Sequence, residues 1–164
     1  MVGVMAFQSR TELAGEDRKP AASLHLKVTT SNDILALFDK GLKAAFYRKQ
    51  LKEEQDLADQ GAAADSGLNR IKFPHSDNVV EWDEKFTLYT TTVQFGIDEK
   101  THIVLPECTA EGFKFEMRDG GTILLSLKIS AHPDADQAGI LHTLNGSEVT
   151  FSLEPPEDKQ GNLA

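Results

Sequence analysis

The stretch that says most about the fold is FKFEMRDGGTILLSLKIS, residues 113–130. Apolar and polar side chains alternate before the Asp119-Gly120-Gly121 sequence, and apolar side chains recur at every second position after it. A two-residue period places alternate side chains on opposite faces of a strand, and glycines permit the positive φ that a tight hairpin turn needs. The stretch therefore predicts a β-hairpin that buries one face in a core.

Five other segments predict strands, because they alternate or are rich in β-branched and aromatic residues. They are residues 24–28, 68–73, 86–97, 101–105 and 148–154. Residues 30–33 form a cluster of N-cap residue types, and the apolar residues Ile34, Phe38 and Leu42 follow at helical spacing. This pattern predicts a long helix that continues to about residue 60, with a bend between Asp39 and Gly41.

A short helix is predicted after Pro133, carrying Ile140, Leu141 and Leu144. Runs of strands without regular strand–helix alternation favour an α+β fold. We therefore expect a mostly antiparallel β-sheet, with one long helix in the N-terminal half and one short helix in the C-terminal half. Residues 23–156 are predicted to form a single domain, between a flexible arm at 1–22 and a flexible tail at 157–164.

The chain of 164 residues has 26 acidic and 17 basic side chains, which give a net charge of -9. A surface of that sign disfavours polyanions and favours a protein partner with a basic surface, although solubility alone also accounts for the charge. The single cysteine, Cys108, indicates a reducing compartment. No apolar run approaches the roughly 20 residues of a membrane helix, so we expect a cytoplasmic protein that makes no membrane contact.

Two acidic groups are candidate contacts for such a partner. They are Glu53, Glu54, Asp56 and Asp59 at the end of the predicted helix, and Glu81, Asp83 and Glu84 around Trp82. The N-terminal arm is a second candidate interface, because it can exchange between copies and so form a homo-oligomer.

The predicted helix also carries a basic cluster with two aromatic residues. Its members are Lys40, Lys43, Phe46, Tyr47, Arg48, Lys49 and Lys52. Basic residues track phosphates and aromatic rings stack on bases, so this cluster is a candidate site for single-stranded nucleic acid. A solvated helix face, with its charges offset by the acidic residues downstream, explains the same pattern.

No catalytic motif is evident. His132, Asp134 and Asp136 are weak candidates for a metal site, because capping of a helix explains the same residue types. Asp83-Glu84-Lys85 and Asp98-Glu99-Lys100 have the acid–spacer–lysine pattern of metal-dependent nucleases, but turns explain them as well. Cys108 with His102 lacks a third group to orient the pair, and an inert buried thiol is the simpler interpretation. We expect no enzyme activity and no cofactor.

Three short patches, Ser31–Leu35 with Phe38-Asp39, Ala131–Gln137 and Leu153–Pro156, resemble small uncharacterised bacteriophage proteins. The resemblance implies an accessory role in phage or host DNA metabolism, or in blocking a host defence, within the host cytoplasm. We therefore expect a non-enzymatic acidic binding protein, an accessory or inhibitor of a basic DNA-processing or defence protein. The alternatives are a binder of single-stranded nucleic acid, a metal-dependent hydrolase and a structural subunit of an assembly.

Overall fold

The computed structural model describes residues 1–53, 67–96 and 101–157. The chain divides into two compact units. Unit 1 comprises Met1–Val28, Glu81–Lys114 and Leu125–Ala164, and unit 2 comprises Thr29–Val80 and Phe115–Leu124.

Strands dominate the structure. In chain order the elements are β1 (Val2–Ala14), β2 (Asp17–Ser31), a 3-10 turn (Asn32–Ile34), α1 (Leu35–Phe38), α2 (Leu42–Phe46), β3 (Tyr47–Lys49), β4 (Leu68–Ile71), β5 (Val79–Trp82), β6 (Phe86–Gln94), β7 (His102–Met117), β8 (Thr122–Ala131), α3 (Ala135–Thr143) and β9 (Glu148–Glu154). Strands account for 58% of the structure and helices for about 18%. The prediction of an α+β fold with a long helix is therefore wrong, and the fold is mainly β.

Six strands pair in a closed ring. Their order is β7-β6-β9-β1-β2-β8, and β8 pairs in turn with β7, so the six strands form a closed β-barrel. β5 adds to the sheet beside β7, and β3 pairs with β4 in a separate two-stranded sheet. The pairs β1–β2, β1–β9, β6–β7 and β6–β9 are antiparallel.

The hairpin predicted at residues 113–130 is confirmed. β7 ends at Met117, and β8 begins at Thr122. The Arg118 amide donates to the Thr122 carbonyl at 2.9 Å, and Gly120 and Gly121 have φ values of 90° and 81°. The apolar positions that the sequence placed on one face are buried. They are Phe113, Phe115, Met117, Ile123, Leu125, Leu127 and Ile129.

Residues 1–22, predicted as an arm outside the sheet, form β1 and the start of β2. β1 lies between β2 and β9, and Met5 and Phe7 are buried, while Val2 and Val4 are exposed. Apolar side chains occupy both faces of this strand, so the alternation is hidden in the sequence. β1 pairs with β2 from Gly3 to Ala14 and with β9 from Val2 to Val4, so these residues lie within the sheet and do not form an arm outside it.

The predicted long helix is replaced by two short ones. The predicted N-cap is confirmed, because the Ser31 side chain accepts a hydrogen bond from the Asp33 amide. The bend is also confirmed, because Asp39 is extended and its carboxylate accepts a hydrogen bond from the Gly41 amide at 2.7 Å. A local bond of this kind competes with the helical ladder. Beyond it α2 lasts only to Phe46. Lys52 and Glu53 are again helical, and residues 54–60 lie outside the described part of the chain.

Tyr47 explains why the helix does not continue after Phe46. Its side chain is fully buried, and its backbone pairs with Ile71 in the two-stranded sheet. The hydroxyl donates to the Arg118 carbonyl at 2.9 Å and lies 3.3 Å from the Thr122 carbonyl. These contacts within unit 2 favour an extended Tyr47, and they override the helical spacing of the sequence around it.

The sequence predicted two separate strands between residues 101 and 118, but the structure has one, β7. Two residues at positive φ shift the alternation of buried and exposed side chains along this strand, which hides its continuity in the sequence. The buried side chains are Ile103 and Leu105, then Cys108 and Ala110, then Phe113, Phe115 and Met117. Glu107 (φ 53°) and Gly112 (φ 67°) stand at the two shifts. A β-bulge inserts one residue and exchanges the faces of a strand, and glycine adopts this φ without steric cost.

Truncating Phe115 tests the buried face of the hairpin. Its ring is fully buried and meets the Phe38 ring edge-on, with centroids 4.7 Å apart. Phe115→Ala is expected to lower the free energy of unfolding by about 3–5 kcal/mol, because it leaves a cavity. Lys114→Ala, on the exposed face, is expected to change it by less than about 0.5 kcal/mol. Denaturant unfolding measures both, and equal effects would contradict the assignment of the two faces.

Removing the Tyr47 hydroxyl tests the tertiary contact that ends α2. Tyr47→Phe is expected to lower the free energy of unfolding by about 1 kcal/mol near neutral pH, because the Arg118 carbonyl loses the hydroxyl that donates to it. Tyr89→Phe is the matched control, since the Tyr89 hydroxyl bonds to no described residue, and its effect should be within about 0.5 kcal/mol.

The same variant has an expected pH signature. Burial raises the pKa of Tyr47 to about 12, whereas an unfolded tyrosine ionises near about 10. The native state therefore keeps Tyr47 neutral, and stability is lost as pH rises from about 10 to about 12. Tyr47→Phe should lose less stability than the unmodified chain over this range. Identical alkaline profiles would show that Tyr47 is not buried.

Candidate functional site

A groove in unit 1 contains one of the two acidic stretches identified from the sequence. It is lined by Glu81–Lys85, Glu111–Lys114 and Lys128, and its volume is about 620 Å³. We call it the Trp82 groove. Its residues come from β5 and the segment that follows it, from the middle of β7, and from β8.

One wall of the Trp82 groove is aromatic and fixed. Phe113 is buried, and its ring meets the Phe86 ring at a centroid distance of 5.2 Å. Phe86 also contacts Tyr89, at 5.4 Å. Between them Leu88 adopts a φ of 61° at a break in the β6–β7 register, and its side chain is 60% exposed. The Phe86–Phe113 pair is edge-to-face, an arrangement that holds aromatic rings in defined orientations, and the Phe86–Tyr89 pair is tilted.

Glu111 links two lysines in the groove. Its Oε2 lies 3.0 Å from Lys85 Nζ, and its Oε1 lies 3.6 Å from Lys128 Nζ. The hydrogen bond from Lys85 lowers the pKa of Glu111, and the same bond raises the pKa of Lys85. The carboxylate therefore stays ionised, and it engages two of the three lysines that line the groove.

The other carboxylates stand around Trp82. Glu81, Asp83 and Glu84 are exposed, and Trp82 is half-buried between them. The indole Nε1 donates to Glu84 Oε2 at 3.0 Å, which fixes the ring beside a negative charge. Exposed carboxylates that line a groove can accept an ammonium or guanidinium group through ion pairing and charge-assisted hydrogen bonds. The groove can therefore hold a cationic side chain.

Two of the three weak metal candidates, Asp134 and His132, are engaged in other contacts. Asp134 caps α3, accepting a hydrogen bond from the Gln137 amide, and the Gln137 side chain completes a capping box. His132 Nε2 lies 3.1 Å from Glu12 Oε2, a contact that lowers the pKa of Glu12. Asp136 lies in the first turn of α3. Among the residues that the structure describes, no group of three or more His, Cys, Asp or Glu side chains could hold a metal ion.

The other catalytic candidates are not brought together. Lys85 pairs with Glu111, and Glu84 accepts from Trp82, so Asp83-Glu84-Lys85 has structural contacts of its own. Asp98-Glu99-Lys100 lies outside the described residues. The Cys108 thiol is buried, burial raises its pKa, and His102 is exposed. A buried thiol of raised pKa is a poor nucleophile, as the simpler interpretation had it.

The basic cluster is not one helical face. Lys40 precedes α2, Lys43 and Phe46 lie within it, Tyr47, Arg48 and Lys49 form β3, and Lys52 follows. Lys43 Nζ pairs with Asp33 Oδ1 at 2.6 Å, and the Tyr47 ring is fully buried. Tyr47 therefore has no exposed face on which a base could stack. Of the acidic group after this segment only Glu53, which is exposed, is described; Glu54, Asp56 and Asp59 lie outside the described residues.

Sequence reasoning missed the residues across the groove from Trp82. Glu111 and Lys128 come from separate strands, and only the pairing of the strands brings them together. The only sequence feature that could have pointed to this wall of the groove is Gly112 next to Glu111, because a glycine inside a strand pattern often marks a bulge.

No protein-family model, no curated protein and no solved structure matches the chain. None of the helices in the described ranges has both the length and the apolar character needed to cross a membrane.

Replacing Glu111 tests the ion network of the groove. Glu111→Gln is expected to lower the free energy of unfolding at pH 7 by no more than about 1 kcal/mol, because its pairs are partly exposed and screened. The pKa of Glu111 is lowered in the native state, so its contribution is present at neutral pH and is lost as pH falls below about 4.3. The difference between the variant and the unmodified chain in denaturant unfolding should therefore shrink as the pH falls below about 4.3. Glu148→Gln, at an exposed position in β9, is the control, and an equal loss there would contradict the network.

Proposed function

We propose that the protein is a non-enzymatic binding protein that acts on a protein partner with a basic surface, and that the Trp82 groove is its contact. The observation that carries the proposal is one groove lined by a half-buried indole, three exposed carboxylates and the packed Phe113 ring. Aromatic anchors with charged neighbours are typical of protein-binding hot spots.

The distribution of charge supports the same surface. Unit 1 contains 16 acidic and 9 basic residues, so most of the net charge of -9 falls in this unit. An acidic surface steers a basic partner toward it during diffusion, and it repels nucleic acid. Steering of this kind acts before contact, and the Trp82 groove then supplies short-range recognition.

The chemistry of the groove fits an arginine or lysine side chain of the partner. Lys85 and Lys128 are held by Glu111, whereas Glu81 and Asp83 are exposed at the groove. A guanidinium or ammonium group can pair with such a carboxylate through charge-assisted hydrogen bonds. Proteins that process DNA carry such side chains for phosphate contacts, so we infer an accessory or inhibitor of a DNA-processing or defence protein.

A binding role also agrees with the chemistry of the remaining candidates. Within residues 1–53, 67–96 and 101–157, Asp134 caps a helix, His132 contacts Glu12 and the Cys108 thiol is buried. No three His, Cys, Asp or Glu side chains in these ranges are grouped so that they could hold a metal ion. An enzyme needs its nucleophile, base and orienting group within hydrogen-bond reach.

Charge reversal at the groove tests the proposal. A tagged chain captures its partner from nuclease-treated bacterial lysate, and the affinity for the purified partner is then measured at low and high salt. Glu81→Lys with Asp83→Lys is expected to weaken binding on the order of tenfold at low salt and less at high salt, because the lost attraction is screened. Trp82→Ala should weaken binding at both salt concentrations.

The matched control is Glu16→Lys with Glu148→Lys, which changes the net charge equally at two other exposed positions of unit 1. It should retain most of the affinity. Equal losses in both double variants would mean that net charge alone matters. Binding that does not depend on salt, or capture that disappears with nuclease treatment, would contradict the proposal.

A further inference from the structure

β1 has a strand neighbour along only part of one side. Its residues 3–14 pair with β2 without a break in register, but only residues 2–4 pair with β9. Residues 145–147 then cover the same side of β1 as far as Phe7. Within the described ranges, no strand pairs with β1 beyond Phe7 on the side opposite β2. We call residues 9–13 on this side, all of them in unit 1, the β1 edge.

Backbone donors and acceptors point out of the β1 edge at every second residue. The Met5 amide donates to the Ser147 carbonyl at 3.0 Å, and the Met5 carbonyl accepts from the Gly146 amide at 2.7 Å. Both groups of Met5 therefore point away from β2. In an antiparallel strand, alternate residues direct their N–H and C=O to the same side. The residues of the edge that follow Met5 in this alternation are Ser9, Thr11 and Leu13.

The side chains of the β1 edge combine an exposed apolar group with both signs of charge. Leu13 is 75% exposed, and Arg10 is exposed. Arg10 Nη2 lies 2.7 Å from Glu12 Oε1, and Glu12 Oε2 lies 3.1 Å from His132 Nε2. An unpaired edge with an exposed apolar side chain is a template for pairing with another chain. The charges decide which chain fits.

Two copies of the edge are complementary in one register. When two copies pair antiparallel about a two-fold axis, outward-pointing groups meet only if odd-numbered residues stand opposite odd-numbered ones. Within the edge the axis then passes through Arg10, Thr11 or Glu12. An axis at Arg10 or Glu12 places like charges directly opposite each other, which is destabilising. An axis at Thr11 instead places Arg10 opposite Glu12 of the second copy, on both sides of the axis.

We propose that a second copy of this chain is the partner of the β1 edge, and that the two copies pair antiparallel about Thr11. The pairing supplies partners for the outward backbone groups and covers part of Leu13. Arg10 and Glu12 occupy non-hydrogen-bonded positions of this ladder, where opposite side chains approach most closely. The Trp82 groove contains none of these residues, so the inference does not rest on the proposed function.

Sedimentation velocity of the full chain over a range of concentrations measures the association. The buffer has an ionic strength of about 0.15 M, which screens long-range repulsion between two chains of net charge -9. The expected result is a reversible equilibrium between monomer and dimer.

Charge reversal tests the register. Arg10→Glu and Glu12→Arg each place like charges opposite each other twice, and each is expected to weaken dimerisation by about tenfold. An equimolar mixture of the two variants restores opposite charges across the edge, so it should form a heterodimer about as tightly as the unmodified chain dimerises. Arg18→Glu is the matched control, because it makes the same charge change at an exposed position of β2. It should dimerise as the unmodified chain does.

Thr11→Pro tests the backbone pairing. Proline removes the outward amide of Thr11 in both copies and leaves the amides that β1 directs toward β2, and it is tolerated where a strand N–H faces solvent. The variant is expected to weaken dimerisation by about tenfold or more, because both hydrogen bonds at the axis are lost. Circular dichroism shows whether the variant is folded, and the charge variants test the inference without it.

A chain that stays monomeric at its highest soluble concentration would overturn the inference and would leave the β1 edge to a strand of a different protein. A dimer that Arg10→Glu, Glu12→Arg and folded Thr11→Pro all leave unchanged would also overturn it, because the interface would then lie elsewhere. A mixture of the two charge variants that associates no better than either variant alone would contradict the register about Thr11. Dimers that the single charge variants weaken and mixing restores would support the inference.

Discussion

The pairing of β8 with both β7 and β2 is the constraint on which the rest of the structure depends. It closes the ring of six strands, so each of the six has a neighbouring strand on both sides, which limits the unpaired edge that would expose backbone donors and acceptors. It also fixes the register that brings Lys128 of β8 to Glu111 of β7. The alternation at residues 113–130 encodes this pairing directly, because a slip of one residue would turn every buried side chain outward.

The sequence predicted turns, caps and bends correctly where the local structure depends only on residues that are close along the chain. The Asp119-Gly120-Gly121 turn, the Ser31 cap and the bend at Asp39 each depend on residues within a few positions. The long helix was not settled locally. Tyr47 is drawn into β3 by carbonyls about 70 residues away, and a tertiary contact of this kind overrides helical spacing.

The mainly β fold was missed for a related reason. β1 carries apolar side chains on both faces, and β7 changes faces at Glu107 and Gly112, so neither strand shows a continuous period of two. In the candidate site, the acidic stretch around Trp82 could be identified from the sequence because its charged residues are consecutive. The residues across the groove could not be identified, because Glu111 and Lys128 meet only after the strands have paired.

The central claim is that the Trp82 groove contacts a basic partner. Hydrogen–deuterium exchange of the full chain, with and without the partner recovered from nuclease-treated lysate, tests it most directly. Partner binding is expected to slow exchange at residues 81–85 and 111–114, because a bound partner would suppress local opening at these amides. Protection confined to residues 40–52, with the groove unchanged, would contradict the account and would place the contact on the basic segment.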